Sequence, residues 1–360
     1  MKLRHLVIMA AGTGGHVMPG LAVADEMRRR GWSVSWLGTT AGLENKLVPQ
    51  RGIALDRVSF AGLRGKGLLK NALGVLQLFV AFWTCARILA RRRADAVLGM
   101  GGYVCFPGGW TAWLLGKPLL LVNADATLLL SNKALRGAAR KIAFGFAGTS
   151  AEAMGKKAVV TGNPVRAEIE SIAAPDERFA GRTGTLRLLV VGGSLGARVL
   201  NECVPQAIAL LAGGERPQVT HQTGEASQAS VRSAYASGGA KAEVLPFIDD
   251  MADRLAACDL VVCRAGAITV SELCAAGVPA VLVPLVVSTT AHQRDNAAWL
   301  AGHGAAIHLP QAELSPRRLA DLIAGLTRDA LLAMATRARS LARPHAAARV
   351  ADEIEAMVAA

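Results

Sequence analysis

The sequence predicts an α/β chain of two doubly wound domains, each a parallel sheet covered by helices, and three observations carry that prediction. The first is a pair of similar units. Residues 6–9 are an apolar strand, Gly12-Thr13-Gly14-Gly15-His16 a turn and 19–30 a helix; residues 186–191 are a mostly apolar strand, Gly192-Gly193-Ser194-Leu195-Gly196-Ala197 a turn and 198–211 a helix. A strand, a glycine-rich turn and a helix N-terminus make a phosphate site, because glycine lets backbone amides approach an anion and the helix dipole favours negative charge there. Taken singly, either loop reads equally as a tight turn. The second observation is length: 360 residues exceed one ordinary core and suit two domains. The third is composition. Hydrophobic residues make up 52% and aromatics only 4%, so the bulk is Ala, Leu and Val, as in buried parallel strands under helices.

The net charge of +13 favours an anionic partner: nucleic acid, a phosphorylated substrate or an acidic membrane surface. Nucleic acid is the weaker choice, because the basic residues are scattered over helices and stacking aromatics are scarce. The six cysteines include no Cys-x-x-Cys pair and sit mostly among apolar neighbours, which points to reduced thiols in the cytosol. Residues 1–12 have too short an apolar core for a signal sequence and run straight into the glycine loop. Residues 71–86 are uncharged but fall short of the roughly 20 residues a bilayer span needs; with Phe79, Phe82 and Trp83 they read as a buried or membrane-surface helix.

In chain order, Gly31 caps the first helix and 33–37 form the second strand. That strand ends Leu37-Gly38-Thr39-Thr40, without the acid that holds an adenosine ribose, and Val17 replaces the third glycine of the dinucleotide fingerprint. A nicotinamide site therefore loses both its supports. The basic loop Gly62-Leu63-Arg64-Gly65-Lys66-Gly67 leads into the apolar helix, which ends at Arg91-Arg92-Arg93. Strand 95–100 is followed by Gly101-Gly102-Tyr103 and a helix over 107–115. Strand 119–122 runs into Asn123-Ala124-Asp125-Ala126 at its C-terminal end, where open α/β sheets bind ligands. The turn Gly162-Asn163-Pro164-Val165-Arg166 holds the expected domain boundary, which gives an N-terminal domain of 1–163 and a C-terminal domain of 164–340. In the second half, strand 260–263 leads through Arg264-Ala265-Gly266-Ala267 into helix 268–276, closed by Gly277-Val278-Pro279. Beyond strand 281–283 a loop reaches His292-Gln293-Arg294-Asp295-Asn296, and an Ala-rich helix from 341 restarts after Pro344.

The second half reads as a nucleotide-sugar site. Ser194 and nearby amides can hold a diphosphate, and Arg166 adds positive charge. Glu272 lies one turn into a helix at the end of a strand, where one carboxylate can accept from both hydroxyls of a ribose; a solvated helix-surface charge is the alternative. Thr269 and the amides after Gly266 suit sugar or phosphate, and Gln293 and Asn296 suit sugar hydroxyls unless they are ordinary loop residues. In the first half, His16 either takes a proton from an acceptor hydroxyl or simply caps its loop. No His-x-x-x-His or paired-carboxylate metal site appears, and Asp249-Asp250 alone is weak evidence for one.

Over nearly its whole length the chain resembles the MurG family, the peptidoglycan N-acetylglucosaminyltransferases of glycosyltransferase family 28. The resemblance rests on Gly12-Thr13-Gly14-Gly15-His16 with Pro19-Gly20-Leu21-Ala22, Gly62-Leu63-Arg64-Gly65-Lys66-Gly67, Gly99-Met100-Gly101-Gly102-Tyr103 and Gly162-Asn163-Pro164-Val165-Arg166. The Gly192 loop, Phe247-Ile248-Asp249-Asp250-Met251, Val270-Ser271-Glu272, and His292-Gln293 with Asn296-Ala297 complete it. It implies a GT-B fold: two Rossmann-like domains facing an inter-domain cleft, with a C-terminal helix, 341–360, crossing back to the first. The N-terminal domain would lie on an anionic membrane surface and take the lipid acceptor, and the C-terminal domain would take UDP-GlcNAc. By resemblance the backbone of Ile248 reads the uracil, Glu272 holds the ribose, and Ser194 and Arg166 meet the diphosphate. Ala267, Ile268, Thr269, Val270, Ser271 and Gln293 belong to the donor pocket, and Thr13, Gly14, Gly15 and His16 face the cleft. Asp125 stands where the family has a donor-contacting Asn. The implied reaction is an inverting transfer of GlcNAc to the C4 hydroxyl of MurNAc-pentapeptide on undecaprenyl diphosphate, lipid I to lipid II, with His16 as catalytic residue. Helix dipoles and side chains would stabilise the leaving diphosphate, and no metal, cofactor or nucleic acid is implied. The implied place is the cytoplasmic face of the bacterial inner membrane, in cell-wall biogenesis and hence cell shape and division.

Four stretches depart from the family's pattern: Val122-Asn123-Ala124-Asp125 for His-Glu-Gln-Asn, Leu195 for Gln, Ala265 for Ser, and Tyr103-Val104-Cys105-Phe106 for a smaller Ser or Thr pair. All four are expected at the cleft. Val122 cannot hydrogen-bond and Asp125 meets like charge on a diphosphate sugar. The expectation is a folded enzyme with impaired transfer, relieved by restoring the family's four residues at little cost in stability, unless Asp125 has been recruited as a base. The alternatives are a related GT-B transferase with another acceptor, a UDP-GlcNAc 2-epimerase, against which the basic loop and apolar helix argue, and a catalytically weakened nucleotide-sugar-binding protein.

Overall fold

The computed structural model describes residues 3–12, 14–59, 68–193, 196–285 and 291–359, of which 68–76 in backbone alone. The chain forms two compact units, Met1–Val165 with His345–Ala360, and Arg166–Pro344.

The first unit runs β1 (His5–Ala10), α1 (Gly14–Arg29), β2 (Ser33–Thr39), α2 (Glu44–Gln50), β3 (Ala54–Val58), α3 (Leu68–Arg91), β4 (Ala96–Gly101), α4 (Cys105–Leu114), β5 (Leu119–Asn123), α5 (Leu130–Leu135), β6 (Lys141–Phe144), α6 (Thr149–Glu152) and β7 (Ala158–Val160). The strands pair in parallel in the order β3-β2-β1-β4-β5-β6-β7. Leu6, Val7, Ile8 and Met9 are all fully buried, as a strand covered on both faces requires. Helix α1 starts at Gly14 instead of residue 19, within the glycine turn itself, and Pro19 lies inside it.

The second unit runs α7 (Ala167–Glu170), α8 (Pro175–Phe179), β8 (Arg187–Val191), α9 (Arg198–Leu210), β9 (Gln218–Gln222), α10 (Gln228–Ser237), β10 (Ala242–Leu245), α11 (Met251–Ala257), β11 (Leu260–Cys263), α12 (Ala267–Ala276), β12 (Ala280–Leu282), α13 (His292–Gly302), β13 (Ala306–His308), α14 (Pro316–Ala324) and α15 (Arg328–Ser340). Its parallel sheet has the order β10-β9-β8-β11-β12-β13. In each sheet the winding reverses at one point, between β1 and β4 and between β8 and β11. Connections to either side of that point leave in opposite directions, which opens a crevice at the C-terminal strand ends.

The last helix, α16 (Ala346–Ala359), returns to the first unit. Val350, Ala351, Ile354 and Met357 join the buried layer of Val17, Leu21 and Leu6. Polar ties flank this stripe: Arg30 Nη1 pairs with Asp352 at 2.7 Å and Glu355 at 2.8 Å, and Arg140 Nη1 donates to the Met357 carbonyl at 2.9 Å. Both boundaries shift slightly from the sequence expectation. The first unit extends through Val165 because the Thr161 and Gly162 amides donate to the Phe144 carbonyl and Asn163 Nδ2 to the Ala124 carbonyl. At the far end the Ala342 amide donates to the Arg339 carbonyl and closes α15, so the return helix begins at Ala346 rather than at 341.

Candidate functional site

Each switch point carries a constellation of polar groups. In the second unit the turn after β8 is held close by its glycines. A Cβ on Gly196 would meet the Thr223 carbonyl oxygen at 2.1 Å, and one on Gly192 the Ala197 nitrogen at 2.6 Å. The amides of these glycines are already spent: Gly192 on the Gln222 carbonyl, Gly193 on Gln222 Oε1 at 3.0 Å, and Gly196 on the Gly193 carbonyl. Gln222 Nε2 in turn donates to the carbonyls of Gly193 and Pro246. The glycines therefore shape the turn, and among the described residues the first turns of α9 and α12 have amides left open to an anion. In α12 the first amide to find a helical carbonyl is that of Val270, on Gly266, which leaves Ala267, Ile268 and Thr269 pointing outward at the positive end of the dipole.

Glu272 is half-buried on α12 and receives both Nε and Nη2 of Arg166 on its Oε1, at 3.0 and 2.9 Å. Burial pushes its carboxyl above the ordinary carboxylate range, and the Arg166 guanidinium holds it down. Arg166, expected at a diphosphate, is engaged with the carboxylate expected at a ribose; Glu272 Oε2 makes no hydrogen bond among the described residues. Gln293 Oε1 accepts from the amides of Leu285 at 2.9 Å and Ala265 at 3.4 Å, which ties the loops after β11 and β12 and leaves its Nε2 open. The Ile248 side chain is buried beyond β10, and its backbone N–H and C=O have no partner among the described residues.

In the first unit a residue the motifs did not single out clamps the glycine turn. Glu44 is fully buried; its Oε2 accepts from the Gly12 amide at 3.0 Å, and its Oε1 from the Thr39 amide at 3.1 Å and hydroxyl at 2.7 Å. An acid does stand near the end of β2, five residues past Thr39, and it is spent on backbone. His16 lies in the first turn of α1, its ring against Gly101: a Cβ there would meet Nδ1 at 2.5 Å, and the glycine's φ is +125°. His16 Nδ1 is buried without a hydrogen-bond partner. Burial lowers the imidazole pKa from its ordinary 6.5, against the opposing pulls of the nearby Asp125 carboxylate and the Met100 carbonyl. The imidazole is therefore neutral at pH 7, with a free nitrogen.

Asn123 has its fully buried side chain at the centre of the next loop. Its Nδ2 donates to the carbonyls of Asp125 at 2.8 Å and Thr127 at 3.1 Å, while its Oδ1 accepts from the Leu129 amide at 3.0 Å and Asn132 Nδ2 at 3.1 Å. The expectation that the family's four residues could be restored here at little cost in stability runs against this packing. Val122 is 2% exposed and packs with Leu98, Leu120 and Ile354, and Asn123 winds the loop that presents Asp125. Val104, Cys105 and Ala265 are also buried, so these departures belong to the scaffold rather than to an open ligand surface.

Two further expectations change. The Val270 side chain is fully buried and its amide committed, so it is scaffold. Asn296, fully buried, braces the Ala265 carbonyl at 3.1 Å. Ser271 Oγ bonds back to the Ala267 carbonyl. Thr13, Ser194, Leu195 and Lys66 lie outside the described residues. On α3 Phe79, Val80 and Trp83 are exposed, and on α4 Trp113 and Leu114 are exposed. Phe82 instead turns inward, edge-on to Phe106, and the Arg87 guanidinium lies 4.9 Å over the Trp83 ring. Among the described residues no helix is long and apolar enough to cross a membrane.

The glycosyltransferase family 28 N-terminal domain profile matches residues 6–144, and the family 28 C-terminal domain profile matches 187–354. A UDP-N-acetylglucosamine--N-acetylmuramyl-(pentapeptide) pyrophosphoryl-undecaprenol N-acetylglucosamine transferase of Methylibium petroleiphilum is 66% identical over 99% of both chains. The enzyme of the same name from Chromobacterium violaceum is 65% identical over 98% of both. The crystal structure of Acinetobacter baumannii MurG superposes with a TM-score of 0.86 at 36% identity, covering 98% of this chain and 99% of that one.

Replacing Asn123 by Ala should lower unfolding free energy by about 2 kcal/mol or more, since it strands buried groups worth about 1–3 kcal/mol each. Asn123→Glu, which cannot donate to the two carbonyls, should cost at least as much. Urea titration reads both, and an unchanged midpoint for the Glu variant would remove the loop's dependence on the amide.

Proposed function

This chain belongs to glycosyltransferase family 28, and we propose that it transfers N-acetylglucosamine from UDP-GlcNAc to the MurNAc sugar of an undecaprenyl-diphosphate-linked pentapeptide acceptor. The observation that carries this reading is Glu272, held by Arg166 on the helix that begins at the switch point of the second sheet. One carboxylate oxygen keeps the guanidinium and the other is free for ribose hydroxyls. The uracil meets the open backbone of Ile248, and the diphosphate meets the first-turn amides of α12 and α9 together with Ser194. Gln293 Nε2, its oxygen already fixed, offers a positioned donor to the sugar.

The acceptor binds the first unit. Its C4 oxygen attacks the anomeric carbon from the face opposite UDP, the C1–O bond to the diphosphate breaks, and the electron pair leaves on the phosphate, where helix amides and dipoles receive it. The hydroxyl proton passes to the neutral imidazole of His16. The first-turn amides at Gly14 and Gly15 face an anionic part of the acceptor or donor. Asp125 acts through His16, favouring the imidazolium that forms as the proton arrives.

UDP release should require both UDP-GlcNAc and the lipid acceptor or a short-chain analogue. His16→Ala should lower kcat by about 10²–10⁴-fold, the usual worth of a general base. Activity should rise with pH through a midpoint below 6.5, since burial favours the neutral ring. Asp125→Asn removes an anion that raises the imidazole pKa, so that midpoint should move to lower pH; a move to higher pH would count against the pairing. Calorimetry should find UDP-GlcNAc binding weakened by about 1.5–3 kcal/mol in Glu272→Ala, the range for hydrogen bonds to a charged group, and unchanged affinity would return Glu272 to a structural role.

The protein works peripherally at the cytoplasmic face of the inner membrane, in cell-wall synthesis and thereby in cell shape and division. The apolar surface of α3 and α4 enters the headgroup region, and Arg87, Lys66 and Lys70 meet anionic lipid at about 1 kcal/mol each. Co-sedimentation with anionic vesicles should fall with salt and with a Phe79→Ser/Trp83→Ser double substitution; equal binding to neutral vesicles at every salt concentration would refute the electrostatic part.

A further inference from the structure

The first unit holds a cavity that the transfer chemistry does not use. It measures about 660 Å³ and is lined by Leu128, Lys133, Arg136, Thr149, Ser150 and Met154, among others. It opens where the chain leaves β5 and β6. Lys133 and Arg136 are exposed, and neither has an ion-pair partner among the described residues. The cavity thus offers two positive charges, the hydroxyls of Thr127, Thr149 and Ser150 and an apolar floor, with no carboxylate in its lining. That chemistry fits an extended peptide carrying a carboxylate: cations and hydroxyls for the anion, Leu128 and Met154 for its alkyl groups.

The walls are built in advance. Lys157 Nζ donates to the carbonyls of Arg136 and Ala139, each at 3.0 Å, which pins the turn after α5. Asn132 Nδ2 reaches the Val122 carbonyl at 3.0 Å and anchors α5 to the end of β5. The loop wound on Asn123 runs from the neighbourhood of His16 to this cavity: the Asp125 carboxylate is near enough for its charge to act on the His16 ring, and Thr127, two residues on, lines the cavity. The span also fits. His16 lies in the first turn of α1, which follows β1, and from β1 to β6 is three neighbouring strand spacings in the order β1-β4-β5-β6, roughly 14 Å. Five extended residues reach roughly 17 Å.

We propose that this cavity is the subsite for the acceptor's peptide, with Lys133 and Arg136 taking a peptide carboxylate while the muramyl sugar sits at His16. The proposal rests on the transferase reading above, since the peptide is that of its acceptor.

The test uses the full-length protein, its Lys133→Ala/Arg136→Ala variant, and three soluble acceptor analogues: one with a free pentapeptide carboxylate, one with that terminus amidated, and one without peptide. The double substitution should raise KM for the carboxylate acceptor about 10–100-fold, the worth of charge-assisted hydrogen bonds. Kcat, KM for UDP-GlcNAc and KM for the peptide-free acceptor should change less than twofold, and the amidated acceptor should fall between. An equal rise for all three acceptors, or no rise for the first, overturns the proposal. Titration of an N-acetylated free pentapeptide followed by NMR keeps it separate from the transferase reading. Binding by the parent protein that the double variant loses supports the subsite even if no sugar is transferred. Equal binding by both overturns it, while absence of transfer by the parent protein counts against the transferase reading alone.

Discussion

A parallel sheet wound outward in two directions must leave one gap between neighbouring strand ends, and both units of this chain gather candidate site residues at that gap. The constraint is steric before it is chemical. Loops from β1 and β4 leave in opposite senses yet pass within contact of each other, so that a Cβ on Gly102 would meet the Ala11 carbonyl oxygen at 2.7 Å. In the second unit the turn after β8 passes as closely under Thr223. Glycine at these positions is required by approach, and the helices that follow point their positive ends into the same space. Among the described residues the amides left open there are those at the helix starts, because the amides of Gly192, Gly193 and Gly196 are consumed in holding the turn.

Charge is spent in two ways in this chain. Some ionic groups are used up on structure: the buried Glu44 closes the first glycine turn on three donors, and Asp259, fully buried, pairs with Arg182 at 2.6 Å and accepts from the Arg187 amide at 2.8 Å. Others retain unused capacity. Glu272 keeps one oxygen free, and His16 keeps one nitrogen without a partner. A desolvated group with an unused lone pair is costly in a folded protein unless a ligand completes it, and this difference separates the candidate site from the network that supports it.

The return of α16 to the first unit makes its two ends interdependent. Ile354 shares a buried layer with Val122 and Leu98, next to the loop that presents Asp125. Packing from the last residues of the chain thus reaches the strand end beside the loop that holds Asp125, within one unit.

The alternation of strands and helices, the two glycine turns and the motif order were legible in the residues, because backbone periodicity, glycine placement and helix starts are local properties. So were Glu272, His16 and Gln293 as candidates, since each stands at a fixed distance from a turn. Other assignments could not be made from the sequence. Val270 and Asn296 sit in the same motifs as Glu272 and Gln293, yet their side chains are buried in the scaffold. Arg166 meets Glu272 across more than a hundred residues, Glu44 meets Gly12 across a strand, and Asn123 is a loop hub, although the sequence suggests a replaceable residue of a binding surface. The local sequence states what a side chain is able to bond with. Which partner it takes depends on which distant backbone groups the folded sheet brings within hydrogen-bonding distance, and only the tertiary structure decides that.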